Sequence, residues 1–162
     1  MRETFQRFRR VIQLPDLAAT ASLGERIARE IRRGDCVALE GDLGAGKTTL
    51  ARAILRAMGV RETVPSPTFT LVQAYETNRV PVRHYDFYRI ENAREIDELG
   101  FDEALGEGAA LVEWPAHAPG VLPVDTTLHI LLELQGHAER RAIASGPERW
   151  AERFKDVQVD VG

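Results

Sequence analysis

The spacing of apolar residues predicts a helix early in the chain. An apolar residue recurs every fourth position from Leu23 to Ile31, which predicts one buried stripe on a helix from about Thr20 to Arg33. Thr20 or Ser22 would cap its first turn, and Gly34 would end it.

A strand, a glycine-rich turn and a second helix follow. The unbroken apolar run Cys36–Leu39 is typical of a strand buried on both faces. Residues 41–46 are rich in glycine, and the apolar spacing predicts a helix from Lys47 to Met58. Prolines exclude regular structure over residues 64–68.

The apolar pattern of the remaining residues predicts further strands and helices. Strands are predicted at 5–14, Phe69–Tyr75, Val80–Tyr88, Ala109–Val112, Thr127–Leu134 and Arg140–Ala144, and helices at 93–106 and 147–155. We therefore expect a single α/β P-loop NTPase-like domain over residues 1–162, with a central, mostly parallel sheet flanked by helices.

The strongest chemical signal is the string from Gly41 to Thr48, which matches the P-loop pattern G-x-x-x-x-G-K-[ST]. Glycines let backbone N–H groups face a phosphate, and the following helix offers its positive end. Lys47 would reach the β and γ phosphates, and the Thr48 hydroxyl would bind Mg²⁺. The predicted nucleotide-binding residues in this segment are Gly41, Leu43, Gly44, Ala45, Gly46, Lys47, Thr48 and Thr49.

Two carboxylates are candidates for the acid beside the metal. Glu113 directly follows the apolar strand Ala109–Val112, at the strand end where α/β sheets place ligands. Asp86 shares a strand face with His84 and Tyr88 because side chains alternate along a strand. We expect Glu113 to bind the metal and Asp86 to orient water or support the site, with His84 in a structural hydrogen bond.

A loop with two hydroxyl side chains follows the P-loop helix. In nucleotide switches, a loop hydroxyl in this place senses the γ-phosphate and Mg²⁺. Ser66 and Thr68 are therefore the candidates for a switch loop.

Composition limits the remaining classes of function. The chain has 162 residues, 44% of them hydrophobic, with 21 basic and 25 acidic residues. No apolar run is long enough for a membrane helix, and the one cysteine, Cys36, fits a reducing cytoplasm. The histidines and Cys36 lack zinc-ligand spacing, and the net charge of −4 gives no bulk attraction for nucleic acid.

An acidic stretch at 91–107 is either a solvated helical face or a docking surface for a basic partner. Within it, Asp97–Gly100 matches the D-x-x-G of GTPases but does not follow an apolar strand. No N-K-x-D string occurs in the sequence, so adenine is favoured over guanine.

The ordered set of motifs resembles the TsaE (YjeE) family, the bacterial P-loop ATPases of tRNA threonylcarbamoyladenosine biosynthesis. The strings that carry this resemblance are EGDLGAGKTT at 40–49, SPTF at 66–69, HYDFYR at 84–89, ELG at 98–100 and LVEWP at 111–115. The resemblance covers about residues 14–146.

The resemblance implies slow ATP hydrolysis with Mg²⁺ in support of a TsaB–TsaD complex that modifies tRNA, so that tRNA is an indirect partner. It implies phosphate and metal roles for Lys47 and Thr48, the metal-side acid for Glu113, and a role in activity for Asp86. Thr20 and Arg141 correspond loosely to positions near the nucleotide. Neither the sequence nor the resemblance gives the oligomeric state.

Two other functions stay open at this point. A small-molecule kinase shares the P-loop, although the sequence shows no arginine-rich lid string. A nucleotide-gated binding module would use the same site with incidental hydrolysis. A direct RNA-binding role ranks lower because the net charge is negative and no aromatic-basic stacking pattern occurs.

Overall fold

The alternation of strands and helices that the apolar pattern predicts is present along the chain. The computed structural model describes residues 8–155. The elements are β1 Phe8–Leu14, α1 Leu17–Glu30, β2 Cys36–Glu40, α2 Lys47–Ala57, β3 Val72–Tyr75, β4 Val82–Asp86, α3 Ala93–Glu98, α4 Phe101–Glu107, β5 Ala109–Glu113, a 3₁₀ turn Pro115–His117, β6 Thr127–Leu134, β7 Arg140–Gly146 and α5 Glu148–Arg153. Residues 5–7 of the first predicted strand lie outside the described residues.

The strands form one sheet in the order β1-β7-β6-β2-β5-β4-β3. The four central strands, β6, β2, β5 and β4, are parallel to their neighbours within this group. The outer strands β1, β7 and β3 pair antiparallel, so the sheet is mixed with a parallel centre. The predicted α/β class, with helices flanking a central sheet, is confirmed.

Helices cover the sheet from both sides. On one face, α1 and α2 bury residues such as Ile27 and Leu50 against Val37 and Leu39 of β2. On the other face, α3 and α4 pack on a cluster that includes Phe87 of the segment after β4. Both faces of the central strands are therefore dry, which explains the continuous apolar runs in the sequence.

The first helix differs from its prediction at both ends. It begins at Leu17 because the Asp16 side chain caps it by accepting the Ala19 N–H at 2.9 Å. Thr20 is therefore a buried residue inside the helix, and neither it nor Ser22 is the cap. The helix ends at Glu30, three residues before the predicted end, and the next residue is already extended.

The middle of the chain contains shorter elements than predicted. Strand β3 begins at Val72 because residues 67–71 form a turn, closed by a bond from the Leu71 N–H to the Pro67 carbonyl at 2.8 Å. Strand β4 is also shorter than the predicted Val80–Tyr88. The helical stretch 93–106 is two helices, because Gly100 adopts a left-handed conformation with φ of 70°.

The parallel centre of the sheet brings three carboxyl strand ends to one edge. Strand β2 leads into the glycine-rich loop, β4 ends at Asp86, and β5 ends at Glu113. Asp86 and Glu113 are direct register partners. This edge is where open α/β sheets bind ligands.

None of the helices in the described part of the chain has the length and apolar character needed to cross a membrane.

Candidate nucleotide-binding site

The glycine-rich loop has the backbone of a phosphate cradle. Gly41, Gly44 and Gly46 have φ values of 148°, 81° and 106°, which side-chain-bearing residues rarely adopt. A Cβ on Gly41 would lie 2.5 Å from a carbonyl oxygen of β6. Leu43 is exposed at the loop tip, while Ala45 is buried against the core. A glycine backbone of this kind allows N–H groups to face a phosphate ahead of α2.

Lys47 is held where a phosphate chain would lie. Its Nζ donates to the carbonyl oxygens of Gly41 at 2.6 Å and Asp42 at 3.0 Å. The same atom lies 4.0 Å from the ring centroid of Trp114. Burial lowers the pKa of Lys47, and the negative charge of nearby carboxylates, Glu113 first, opposes that shift. A phosphate would supply the lysine with a stronger counter-charge than these neutral partners.

A chain of hydrogen bonds fixes Glu113 beside the P-loop helix. The Thr48 hydroxyl donates to Glu113 Oε1 at 2.8 Å, and His84 Nε2 lies 2.6 Å from Glu113 Oε2. Because a carboxylate only accepts, His84 is the donor in the second bond. His84 and Glu113 are almost completely buried. The hydroxyl and the carboxylate that the sequence predicts as metal ligands are therefore hydrogen-bonded to each other, and His84 holds the second carboxylate oxygen.

Asp86 lies next to Glu113 and is linked to the predicted switch loop. Its Oδ2 accepts from the Thr68 hydroxyl at 3.2 Å, and Ser66 Oγ lies 2.8 Å from the same hydroxyl oxygen. Its Oδ1 accepts from the Tyr88 N–H at 2.9 Å. The structure therefore joins the Ser66–Thr68 loop to the carboxylate edge of the sheet.

An aromatic cluster of Tyr88, Trp114 and His117 lies beside Lys47, and His117 is the member that the sequence did not single out. The ring centroids of Tyr88 and Trp114 are 4.9 Å apart, and those of Tyr88 and His117 are 5.2 Å apart. Trp114 has a left-handed backbone with φ of 59°, which is uncommon for a bulky residue and costs about 1–3 kcal/mol. The available signal was a Trp-Pro pair directly after a strand-end carboxylate, which indicates a sharp change of chain direction.

A cavity lies next to the P-loop, on the side of α1. Its volume is about 260 Å³, and its lining includes Thr20, Gly46, Thr49 and Arg140. Thr20 and Thr49, both predicted to contact the nucleotide, therefore face one cavity that adjoins the phosphate cradle. This cavity is the candidate site for the base and sugar of a nucleotide whose phosphates lie in the cradle.

The arginine at this cavity is Arg140, while the prediction named Arg141. Arg140 Nη2 donates to the Gly44 carbonyl at 3.3 Å. Arg141 instead donates through Nε and Nη2 to Glu133 of β6, with the shorter bond at 2.6 Å. The two arginines project from opposite faces of β7, so a one-residue difference decides which reaches the loop.

The donor set suits a magnesium ion bound together with phosphates. Thr48 and Glu113 offer hard oxygen atoms, and Mg²⁺ in nucleotide sites takes only one or two protein ligands. No group of three or more His, Cys, Asp or Glu side chains within residues 8–155 could hold a metal alone. The residues therefore fit a metal that arrives with its nucleotide and do not form a separate metal centre.

The fold and this site define an α/β P-loop nucleotide-binding protein. The family model for threonylcarbamoyl adenosine biosynthesis protein TsaE matches residues 14–143, which is most of the chain. The chain belongs to the TsaE family, whose proteins take part in tRNA threonylcarbamoyladenosine biosynthesis.

Individual relatives agree with this assignment. The Bacillus subtilis protein TsaE is 38% identical over 75% of each chain, and the Nostoc protein is 34% identical over 81% of this chain and 82% of its own. The match to the Rickettsia felis protein is 44% identical but spans only 56% of that relative. The crystal structure of Bacillus subtilis YdiB superposes with a TM-score of 0.79 at 27% identity, covering 93% of this chain and 95% of that one.

Proposed function

We propose that this protein is a Mg²⁺-dependent ATPase that supports tRNA threonylcarbamoyladenosine modification by acting on a TsaB–TsaD type complex. The observation that carries the proposal is the buried chain from Thr48 through Glu113 to His84, next to the P-loop lysine. Any buried carboxylate needs hydrogen-bond donors, but one donor here is the P-loop hydroxyl at the position that binds Mg²⁺ in P-loop nucleotide sites. Membership of the TsaE family supports the link to tRNA modification.

In this proposal, each residue of the cradle has one task. Lys47 binds the β and γ phosphates in exchange for the Gly41 and Asp42 carbonyls. Thr48 and Glu113 would hold Mg²⁺, which would neutralise developing phosphate charge. Asp86, connected to Thr68, would orient the attacking water.

The cavity lined by Thr20 and Arg140 would receive the adenosine. Arg140 replaces Arg141 in this role because its guanidinium contacts the P-loop. The sequence lacks the N-K-x-D string that reads guanine, which supports ATP over GTP.

The switch loop offers a way for hydrolysis to change a partner. Thr68 donates to Asp86 at 3.2 Å, and Ser66 is joined to Thr68 through an exposed hydrogen bond, so a γ-phosphate would compete for both hydroxyl groups. Phe69, next to them, is 84% exposed and is available for contact with the TsaB–TsaD complex. A cytoplasmic location is part of the proposal, and the buried free thiol of Cys36 is compatible with a reducing compartment.

The test is phosphate release from ATP, measured for the protein alone and with purified TsaB–TsaD, with and without tRNA. We expect stimulation by the complex, no nucleotide binding by Lys47→Ala, and normal binding but slow hydrolysis by Glu113→Ala. Full hydrolysis by Glu113→Ala would overturn the assignment of that carboxylate.

Two further outcomes separate the other functions. Transfer of phosphate to a metabolite, and not to water, would identify a kinase. A variant that binds ATP, cannot hydrolyse it and still supports repeated rounds of tRNA modification would identify a nucleotide-gated binding module.

A further inference from the structure

This acidic protein has one acidic and one basic cluster of side chains. Seven acidic residues and one arginine lie in the segment 91–107, on and around α3 and α4. An open groove of about 670 Å³ runs between the end of α1 and α5. Six cationic and two acidic residues line this basic groove: Arg26, Arg32, Arg33, Arg149, Arg153 and Lys155, with Glu30 and Glu152.

A buried carboxylate anchors the floor of the basic groove. Asp35 is fully buried and accepts from Arg153 Nη1 at 2.6 Å and from Arg149 Nη1 at 3.3 Å. The Arg153 guanidinium also lies 4.6 Å from the Trp150 ring centroid. These contacts fix the two guanidinium groups in place while using only part of their N–H donors. The entropy cost of ordering them is therefore met by the fold before any ligand binds.

The rim of the basic groove carries cations that have no ion-pair partner in the described part of the chain. Arg32, Arg33 and Lys155 are exposed, and none of them forms an ion pair within the described residues 8–155. Arg26 donates to the Arg153 carbonyl at 2.6 Å, and its Nε has no hydrogen-bond partner in that part of the chain. The groove thus has fixed cations at its base and, as far as residues 8–155 are concerned, unpaired cations at its edge.

We propose that the basic groove binds the phosphate backbone of tRNA. Every side chain that lines it is charged. Protein-docking surfaces combine arginines with buried aromatic anchors, and membrane-binding surfaces insert apolar side chains. Among the described residues, no aromatic or aliphatic side chain lines this groove, so a nucleic acid suits it better than either partner. Several guanidinium groups along an open groove suit successive phosphates of a nucleic acid chain.

The position of the groove allows tRNA and ATP to bind together. Asp35 directly precedes β2, whereas the P-loop directly follows it. Five strand residues span roughly 17 Å, so the two sites lie at opposite ends of the strand. The proposal rests on membership of a tRNA-modification family and not on ATP hydrolysis, so either can fail without the other.

The experiment titrates the full-length protein into a fluorescently labelled, unmodified tRNA transcript and follows anisotropy at several salt concentrations. The test variant is Arg32→Gln with Arg33→Gln, which leaves the Arg32 backbone N–H free to bind Asp35. The control is Arg94→Glu on α3, which lowers the net charge by the same two units away from the groove. Thermal melting of each variant shows whether the fold is unchanged.

We expect the wild-type protein to bind with an affinity that falls as salt rises. The double variant should bind on the order of tenfold more weakly, with a log–log salt slope smaller by about 1.4–1.8, since each lost phosphate contact removes about 0.7–0.9. The control should match the wild type.

Three results would overturn the proposal. The first is no saturable binding of tRNA by the wild-type protein at about 50 mM salt, where phosphate contacts are strong. The second is an equal loss in Arg94→Glu, which would show an effect of net charge alone. The third is binding to phosphatidylglycerol vesicles through Arg32 and Arg33 without binding to tRNA, which would assign the groove to a membrane surface.

Discussion

Replacing His84 by leucine removes the hydrogen bond that orients Glu113 and keeps a side chain of similar bulk. The Nε2–Oε2 distance is 2.6 Å, and both residues are at most 2% exposed. A hydrogen bond to a charged group contributes about 1.5–3 kcal/mol. If that energy is needed to hold Glu113 in its productive position, the loss corresponds to about a 10–100-fold drop in kcat for the proposed hydrolysis.

The matched variant is His84→Gln, whose amide can donate to Glu113 from a similar reach. Phosphate release at saturating ATP and Mg²⁺ should fall far less for His84→Gln than for His84→Leu, with little change in ATP affinity for either. Thermal melting separates this effect from general destabilisation. The reasoning is refuted if His84→Leu hydrolyses ATP at the wild-type rate, or if both variants lose activity equally in proportion to lost stability.

Three further predictions concern the fold that carries the site. Asp35→Ala should lower the free energy of unfolding by about 3–5 kcal/mol, because it leaves the buried Arg153 guanidinium unpaired. Arg149→Ala removes a partner whose side chain is 44% exposed, so it should cost at most about 1 kcal/mol. Equal denaturation midpoints for the two variants would contradict this. Burial raises the pKa of Cys36 to about 12, so little thiolate forms near neutral pH. Alkylation of the thiol should therefore occur only when the protein unfolds. Rapid labelling of the native protein would show instead that the thiol is accessible. Gly41→Ala should abolish ATP binding by forcing a Cβ against a backbone carbonyl, while Gly44→Ala, with open space around its Cα, should bind more weakly but measurably; calorimetry showing equal loss would be evidence against this steric account.

A local sequence pattern predicts an element well when only one kind of secondary structure is compatible with it. The apolar run before the P-loop and the spacing after Lys47 are sufficient to predict β2 and α2 to within a residue. The period of two predicts His84 and Asp86 on the face opposite Tyr85, and the structure agrees, because Tyr85 packs in the cluster below α3 and α4 while His84 bonds Glu113. Tyr88, predicted on the same face, lies beyond the end of β4. The apolar run Ala109–Val112 likewise predicts that Glu113 lies at the ligand-binding edge of the sheet, where β5 ends.

The rest depends on contacts between residues that are distant in the sequence. The choice between Arg140 and Arg141 follows from which face of β7 meets the P-loop, and both arginines look alike in the sequence. The bond between His84 and Glu113 needs β4 and β5 to be neighbours, which the pattern alone does not fix. The basic groove is lined by residues 26–33 and 149–155, which are far apart in the sequence. The net charge of the whole chain therefore does not indicate it.

The most direct test of the central claim is calorimetric titration of ATP into the protein with and without Mg²⁺, repeated for Lys47→Ala. The account predicts saturable one-to-one binding that Mg²⁺ strengthens and that Lys47→Ala abolishes. Equal binding by the wild-type protein and Lys47→Ala, or no heat of binding for the folded wild type, would contradict the assignment of this loop as a triphosphate cradle.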